Sequence, residues 1–301
     1  MPRILCIGEC MLEFAMQPDG NFKLGFAGDT FNTAWYLRAR LPTDWQVDYF
    51  TALGDDPYSV QMLDFMSANG IGTAHVKRIT NRRPGLYVIR QEKGDRQFAY
   101  WRGQSAAKQL ADDAGALATG LNGTALAYFS GITIAILDAK AREILLSQLS
   151  SAKTKGTRIA FDPNERPALW ASPEEMRNSI EAAARIADFV FPTFSDEQLH
   201  FGDTTLRQTA ARYLALSAGE VVVKNGGEPA LIASAQVSLQ LAPEPIAVPV
   251  DTTAAGDSFN SAYLAARLTG ADPQHAAQAA HRVAKIVISH PGALVPMELV
   301  Q

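Results

Sequence analysis

Asp251-Thr252-Thr253-Ala254-Ala255-Gly256-Asp257-Ser258-Phe259 is the stretch of sequence on which the fold and the candidate site depend. Its small residues, 254–256, lead into a helical pattern of apolar residues that continues to Leu268. A small-residue turn that opens a helix leaves the first backbone N–H groups without intrahelical acceptors, and the helix dipole favours an anion there. The sequence therefore predicts an anion cradle at Ala254, Ala255 and Gly256.

Asp257 belongs to the first turn of that helix. A carboxylate beside an anion cradle is badly placed to bind phosphate, but well placed to take a proton from an attacking hydroxyl group. The alternative is an ordinary helix start, in which Asp257 interacts with the helix dipole alone. For an isolated turn this alternative is the more common one, so the prediction of a phosphoryl-transfer base depends on the rest of the chain.

Composition narrows the class of protein. The chain has 301 residues, 47% of them hydrophobic and 19% charged, which suits a soluble protein with a large core. A net charge of −4 without basic runs argues against a nucleic-acid-binding surface. Apolar runs stop well short of the roughly 18–20 residues that span a bilayer, and the N-terminus lacks a signal-peptide pattern. We expect a cytoplasmic protein without a membrane partner.

Short apolar runs alternate with helix-period segments, a pattern typical of a mostly parallel sheet covered by helices on both faces. Helix starts are predicted at Asp56-Pro57, at a capping box over Ser172-Pro173-Glu174-Glu175, and at Asp272-Pro273. The predicted buried strands are Ile4–Ile7, Ala125–Phe129, Arg158–Phe161, Phe189–Phe191 and Val221–Lys224.

The helical periodicity breaks in two segments, about 11–26 and 84–102. The second predicts a β-hairpin, with strands over 86–90 and 97–102 and a turn at Lys93-Gly94-Asp95. We predict a single domain over 1–301, with these segments forming a small β lid.

Four fragments, in order and at these spacings, resemble the ribokinase-like sugar kinases of the phosphofructokinase B type. They are Ile7-Gly8-Glu9, the stretch 26–34, Thr51-Ala52-Leu53-Gly54-Asp55-Asp56, and the stretch 251–259, in which Ala254 stands where the family has glycine. The resemblance covers nearly the whole chain. It implies a three-layer αβα domain with a β-sheet lid, use of ATP and Mg²⁺, a K⁺-type monovalent cation near Asp251 and Thr253, and a homo-oligomer. No spacing of cysteines or histidines indicates a dedicated transition-metal site.

Nucleotide binding is expected at the ends of the later strands, because ligands of open α/β sheets bind beyond the carboxyl ends of strands. No Walker-type phosphate loop is present, but the strand 221–224 runs into a double glycine. The alternative is a plain Gly-Gly turn. The family usually has N-x-x-E at 193–196, where this chain has Thr193, Asp196 and Glu197; which carboxylate influences Mg²⁺ stays open. By resemblance the nucleotide-binding residues are Asn164, Arg166, Thr193, Lys224, Gly226, Gly227, Ala254 and Gly256.

Sugar binding is expected at the stretch Gly28-Asp29-Thr30-Phe31-Asn32, where Asp29 and Asn32 lie about one helical turn apart. Such side chains bind vicinal hydroxyl groups well. In the alternative reading Asp29 is a helix cap and Asn32 faces solvent.

Arginine residues indicate what kind of sugar binds. A neutral sugar does not need a guanidinium group, whereas a carboxylate pairs well with its planar fork. With Pro84–Ile89, Tyr100-Trp101-Arg102 and Asp162-Pro163-Asn164-Glu165-Arg166-Pro167, the chain resembles the 2-keto-3-deoxygluconate kinases, although those often have Asn-Asn-Tyr at 163–165. That resemblance implies that Tyr87, Arg102 and Arg166 surround the acid and keto end of the substrate, and that Tyr100 also binds the substrate.

The predicted activity is transfer of the γ-phosphoryl group of ATP to the 6-hydroxyl of 2-keto-3-deoxygluconate. Asp257 is the expected base, and the N–H groups of residues 254–257 are expected to stabilise the transferring charge. One alternative is a fructokinase or another neutral-sugar kinase of the same family. A second is a catalytically idle regulator that binds a sugar acid. The sequence leaves open whether the acid is derived from gluconate or galactonate.

Overall fold

The fold of the chain is described from a computed structural model, which covers residues 1–17, 19–92, 95–245 and 248–301. The strands in these ranges are β1 Arg3–Ile7, β2 Met11–Met16, β3 Phe22–Ala27, β4 Gln46–Phe50, β5 Ala52–Leu53, β6 Ile71–Gly72, β7 Lys77–Arg78, β8 Leu86–Glu92, β9 Asp95–Trp101, β10 Leu126–Ser130, β11 Arg158–Asp162, β12 Phe189–Val190, β13 Glu220–Val223, β14 Ala230–Ser234 and β15 Ser238–Leu241.

The helices carry much of the chain between these strands. They are α1 Asp29–Arg40, α2 Pro57–Ala68, α3 Ala114–Leu121, α4 Gly131–Ala135, α5 Ala139–Thr154, α6 Pro173–Ile186, α7 Phe194–Phe201, α8 Leu206–Ala215, α9 Ala255–Leu268 and α10 Pro273–Ile288, with 3₁₀ turns at Ala106–Gln109, Pro167–Leu169 and Met297–Leu299. None of the helices in the described ranges is long and apolar enough to cross a membrane.

Nine of the described strands form the central sheet, in the order β15-β14-β13-β12-β11-β10-β1-β4-β6. Neighbours from β13 to β6 pair in parallel, while β14 and β15 form an antiparallel edge. This mostly parallel sheet confirms the predicted fold class. The five strands expected from the sequence are present, with ends displaced by at most one residue.

Two apolar clusters lie on opposite faces of the sheet, because successive side chains of a strand point to opposite sides. Ile4 and Cys6 of β1 belong to one cluster, together with side chains of α1, α9 and α10. Leu5 and Ile7 belong to the other, together with side chains of α5, α6 and α8. The packing therefore forms three layers, with the sheet in the middle.

Proline and an oxygen-bearing cap begin three helices where the sequence predicts them. Asp56 and Asp272 accept backbone N–H bonds at the starts of α2 and α10. Ser172 accepts from the backbone of Glu175 at 3.1 Å, but the reciprocal half of the predicted capping box is not formed. The reason is that the Glu175 carboxylate accepts from Arg142 at 3.0 Å instead.

The two segments without helical periodicity form a separate sheet, in the order β3-β2-β8-β9. Strands β8 and β9 pair antiparallel from Leu86↔Trp101 to Glu92↔Asp95. The turn predicted at Lys93-Gly94-Asp95 falls largely on 93 and 94, which lie outside the described residues. This four-stranded sheet, which we call the lid sheet, faces the ends of the central strands.

Candidate active site

A cleft of about 1140 Å³ lies between the lid sheet and the carboxyl ends of the parallel strands. Glu9, Asp162, Thr193 and Lys224 enter it from the ends of, or just after, β1, β11, β12 and β13. The first turn of α9 also contributes to its wall. This is where α/β sheets of this kind bind ligands, because the strand ends and helix starts meet there.

The N-terminus of α9 begins in a conformation that the sequence alone does not reveal. Ala254 adopts the left-handed region, with φ 60° and ψ 13°, which is costly for a residue with a Cβ atom. The resulting turn lets the Ala255 N–H donate to the Thr252 carbonyl at 3.2 Å. The prediction that Ala255 supplies a free donor is therefore wrong. Within the described residues, the N–H groups of Ala254, Gly256 and Asp257 have no hydrogen-bond acceptor.

This conformation gives a first prediction. Ala254→Gly should raise the free energy of unfolding by about 0.5–1 kcal/mol, because relief of the left-handed strain outweighs the extra freedom of glycine in the unfolded chain. Ala255→Gly, at a helical position next to it, should instead lower stability. Urea denaturation of both variants checks the contrast. A loss of stability in Ala254→Gly as large as in Ala255→Gly would contradict it.

Asp257 stands on the floor of the cleft, partly exposed to it. Its Oδ2 accepts from Asn32 Nδ2 at 2.8 Å. Burial, and then the nearby carboxylate of Asp29, raise the pKa of Asp257 to about 8, although the Asn32 bond opposes the shift. Asp162 raises this pKa further and Lys224 lowers it. A carboxyl group poised near neutral pH suits a general base.

The start of α1 presents its polar side chains to the same cleft. Asp29 is the first helical residue, after the N-cap Gly28; its Oδ1 accepts from the Thr30 N–H at 2.8 Å, and its Oδ2 accepts from Asn164 Nδ2 at 2.6 Å. Asn32 is buried and bonds Asp257. The part of the alternative in which Asn32 faces solvent is therefore wrong, and the N-cap position belongs to Gly28, not to Asp29. A Cβ atom at Gly28 would lie 2.1 Å from the Glu9 carbonyl oxygen, so the backbone there admits glycine alone.

Lys224 reaches the cleft but is already paired. Its Nζ donates to Asp162 Oδ2 at 2.7 Å, and Asn260 Nδ2 donates to the same oxygen at 2.6 Å. A Cβ atom built on Gly256 would lie 3.4 Å from Lys224 Nζ, so the amine stands over the start of α9. Sequence reasoning missed Asp162 and Asn260 as site residues, although Asp162 directly ends a buried strand.

Gly226 and Gly227 do not lie with Lys224 in the wall of the cleft. Both are exposed, and neither is among the described residues that line the cleft. Their predicted contact with the nucleotide stays a prediction.

The two carboxylates left open by the sequence have different surroundings. Asp196 lines the cleft together with Thr193 and Arg166. Burial raises the pKa of Asp196, while Arg166 lowers it. The Glu197 side chain is fully buried and accepts from Arg212 and from the Tyr213 hydroxyl. Of the two, Asp196 is the one that a bound ligand can reach.

The lid side of the cleft carries the predicted aromatic residues and one arginine. Tyr87 and Tyr100 line the cleft, joined by Phe98, which the sequence analysis did not single out. The Tyr87 hydroxyl donates to Glu13 of the neighbouring strand β2. Arg102 forms an ion pair with Glu9, whose side chain is 1% exposed. Glu9 is thus a further site residue that sequence reasoning missed, although Ile7-Gly8-Glu9 was part of the resemblance.

The region predicted to hold a monovalent cation also borders the cleft. Asp251 and Thr253 line it, and the Asp251 carboxylate accepts from the N–H groups of Thr253 at 2.9 Å and Gly292 at 2.6 Å. In the part of the chain that the structure describes, no group of three or more His, Cys, Asp or Glu side chains is arranged to hold a metal ion.

Comparison with known proteins gives consistent matches along the chain. A model of the pfkB family carbohydrate kinases matches residues 1–299. The 2-dehydro-3-deoxygluconokinase of Escherichia coli K12 is 39% identical, over 98% of both chains. That of Haemophilus influenzae is 40% identical, over 98% of this chain and 96% of its own. The structure of Xylella fastidiosa fructokinase with bound ATP superposes with a TM-score of 0.83 at 20% identity, covering 99% and 96%.

Proposed function

Because this chain belongs to the pfkB family of carbohydrate kinases, we propose that it transfers the γ-phosphoryl group of ATP to the 6-hydroxyl of 2-keto-3-deoxygluconate. This acid is the 2-dehydro-3-deoxygluconate in the names of its relatives. The product is 2-keto-3-deoxy-6-phosphogluconate. The observation that carries the proposal is the position of Asp257, in the first turn of α9, beside backbone donors that have no acceptor among the described residues.

Asp257 acts as the base. Asn32 holds its carboxyl group at 2.8 Å, which fixes the direction in which the free oxygen meets the sugar hydroxyl. The raised pKa makes this carboxylate a stronger proton acceptor than an ordinary aspartate, since basicity follows pKa. Asp29, whose Oδ2 accepts from Asn164 Nδ2 at 2.6 Å, holds the hydroxyl groups of the sugar next to it.

The transferring phosphoryl group lies over the start of α9. The N–H groups of Ala254, Gly256 and Asp257, which have no acceptor among the described residues, lie at the start of the helix, and the Lys224 amine adds a positive charge above Gly256. When bound, Mg²⁺ supplies charge neutralisation on the nucleotide phosphates. Asp196, which lines the cleft, is the carboxylate that would hold it there.

Arg102 and Arg166 both line the cleft, but they differ in whether a carboxylate already balances their charge. Arg102 is paired with the buried Glu9, so its charge is balanced before any substrate arrives. Arg166 is exposed, and its Nη1 donates to the backbone carbonyl of Glu165 at 2.6 Å. No carboxylate of the described residues forms an ion pair with it. Arg166 therefore supplies the net positive charge that selects a carboxylate, while Arg102 supplies directed hydrogen bonds.

Several further features of the proposal are supported by the family resemblance. They are a monovalent cation near Asp251 and Thr253, a homo-oligomeric state, a cytoplasmic location, and a single domain whose lid sheet covers the sugar. A kinase for neutral sugars would not need Arg102 and Arg166 to bind a carboxylate. A regulator that only binds the sugar acid would not need Asp257 as a base.

A coupled assay of ADP release tests the proposal. The purified protein is given ATP and Mg²⁺ with 2-keto-3-deoxygluconate, its galactonate-derived epimer, fructose and ribose in turn. We expect the largest kcat/KM for one of the two acids. A preference for fructose or ribose would favour the neutral-sugar alternative. Binding of the acid by calorimetry without turnover of any sugar would favour the idle regulator.

The role of Arg166 can be tested on the same substrates. Arg166→Leu should lower the ratio of kcat/KM for the acid to that for fructose by about 10- to 150-fold. The reason is that a charge-assisted hydrogen bond is worth about 1.5–3 kcal/mol, and roughly 1.4 kcal/mol is tenfold. Arg185→Leu, which removes an exposed arginine of α6 outside the cleft, is the control. Equal losses for both sugars would place Arg166 on the nucleotide side.

A further inference from the structure

Glu165 lies between two residues of the cleft, but its own side chain is turned away from it. Asn164 and Arg166 line the cleft, whereas Glu165 is 3% exposed overall and its side chain is fully buried. The loop after β11 is tightly held at this point, since Asn164 has a φ of 32°, outside the usual range of a non-glycine residue. The Asn164 bond to Asp29 holds this loop on the cleft side, and the Glu165 side chain is what the loop places on the buried side.

The side chain of Glu165 enters a group of charged residues behind the cleft, which we call the Glu165 pocket. Neither Glu165 oxygen has a hydrogen-bond partner among the described residues. The groups that face it are Asp196, Glu197 and His200 of α7, Asp203 of the α7–α8 loop, and Arg212 and Tyr213 of α8.

No donor in this pocket lies at hydrogen-bond distance from Glu165; Arg212 Nη1 has no partner among the described residues, but Arg212 forms no ion pair with Glu165 there. Arg212 pairs with Glu197 and, at 2.8 Å, with Asp203. The Tyr213 hydroxyl donates to Glu197 Oε1 at 2.8 Å. His200 Nε2 is 3.8 Å from Glu165 Oε2, beyond hydrogen-bond distance. An ionised Glu165 would therefore be a buried charge with no donor at hydrogen-bond distance, next to the Glu197 carboxyl group that Arg212 and Tyr213 hold, which is very unfavourable.

We propose that Glu165 is kept as a neutral carboxylic acid whose O–H donates to the Glu197 carboxylate, and that this bond positions the loop carrying Asn164 and Arg166 against α7. The alternative, an ionised Glu165 paired with His200, would leave both carboxylate oxygens without a hydrogen bond, because His200 Nε2 lies 3.8 Å from Oε2. Glu165 is thus a positioning residue, and it acts through Arg166 on one side and through α7, which carries Asp196, on the other. The expected effect of Glu165 on kinetics rests on the proposed function, whereas the expected protonation of Glu165 is independent of it.

The protonation has a consequence for stability. Burial, and then the Glu197 and Asp196 carboxylates, raise the pKa of Glu165 far above the usual range of glutamate. As pH rises through that usual range, the unfolded chain releases the proton while the folded protein keeps it. The stability of the folded state therefore falls with rising pH wherever the folded protein binds the extra proton. Glutamine cannot ionise, and its amide N–H can still donate to Glu197.

Glu165→Gln is the decisive variant. Its Tm should rise relative to that of wild type as pH increases from about 5 to about 8. Glu143→Gln, which changes an exposed glutamate of α5, should keep a constant difference from wild type over this range. A Glu165→Gln curve that runs parallel to wild type would overturn the proposal.

A second measurement does not depend on that variant's folding. The infrared spectrum of Asp257→Asn, chosen so that Asp257 contributes nothing, should show the carbonyl band of a protonated carboxylic acid at neutral pH. Its absence would overturn the proposal as well. Both readouts are independent of kinase activity, so a failed activity assay leaves them interpretable.

The positioning role is read from kinetics. Glu165→Gln should keep KM for the acid within about twofold of wild type, whereas Glu165→Ala should raise it roughly tenfold, since one hydrogen bond is worth about 1 kcal/mol or somewhat more. Equal KM values for a folded Glu165→Ala and wild type would show that the bond does not position the loop, and would overturn that part.

Discussion

Asp257→Asn is expected to lower kcat by about 10²–10⁴-fold, the usual loss when a general base is removed. The change removes a proton acceptor and almost no volume. Asparagine can still accept the bond that Asn32 Nδ2 makes to Asp257 at 2.8 Å, so the local structure should persist. The loss should therefore appear in turnover and not in folding.

Binding separates this explanation from a general disruption of the cleft. Calorimetry should give dissociation constants for ATP and the sugar acid close to those of wild type. Asp64→Asn, an exposed change on α2 outside the cleft, should leave all kinetic constants unchanged. A folded Asp257→Asn enzyme with more than about a tenth of wild-type kcat would contradict the assignment of the base.

The pH dependence gives an independent check on the same residue. In wild type kcat/KM should rise with pH up to about 8, because the base must be ionised and kcat/KM reports the free enzyme. Stability should change in the opposite direction. The raised pKa means that the folded state keeps a proton that the unfolded chain loses above about pH 4, so stability falls from there up to about pH 8. Asp257→Asn should thus gain on the order of 1–3 kcal/mol relative to wild type at alkaline pH, discounted for partial exposure.

The family and the fold class could be predicted from the sequence because they depend on local patterns. Buried parallel strands read as continuous apolar runs, and helix starts carry proline and cap residues such as Asp56 and Asp272. The match over residues 1–299 confirms the family, and the central sheet confirms the fold class. Residues directly after strands, such as Lys224, were expected at the cleft for the same reason.

The pairing of charges inside the cleft could not be predicted in the same way. Glu9 and Arg102 are 93 residues apart, and Lys224 and Asp162 are 62 apart. Their contacts depend on how the lid sheet packs and which strands are neighbours, and neither leaves a local pattern. A weak signal did exist, since Glu9 follows β1 closely and Asp162 ends β11, positions at which α/β sheets bind their ligands.

At the start of α9, the sequence predicted the position of the turn but not its backbone conformation. The sequence identified the turn, but Ala254 hid its left-handed conformation, which a glycine at this position would have suggested. The consequence is chemical, because this turn commits the Ala255 N–H to Thr252 and removes one predicted donor from the phosphate cradle. Three donors and the Lys224 amine remain for the charge that develops during transfer.

Gly256→Val tests that cradle, and its expected effect is a loss of about 10²–10³-fold in kcat, as when an oxyanion-type donor is lost. A Cβ atom at Gly256 would point toward Lys224 Nζ, at 3.4 Å, so a stiff β-branched side chain would stand between the amine and the N–H groups. The phosphoryl group needs that space. The protein itself should tolerate the change, because the flexible end of Lys224 is the neighbour that must move.

Gly115→Val is the matched control, since Gly115 is the second residue of α3 as Gly256 is of α9. Both variants place valine in the first turn of a helix, and so share its propensity cost, but Gly115 lies outside the cleft. Gly115→Val should lose some stability and keep kcat, while Gly256→Val should lose kcat. Near-normal turnover in a folded Gly256→Val enzyme would mean that the phosphoryl group does not lie over the start of α9. In that case Asp257, the next residue of the same turn, could not be the base either.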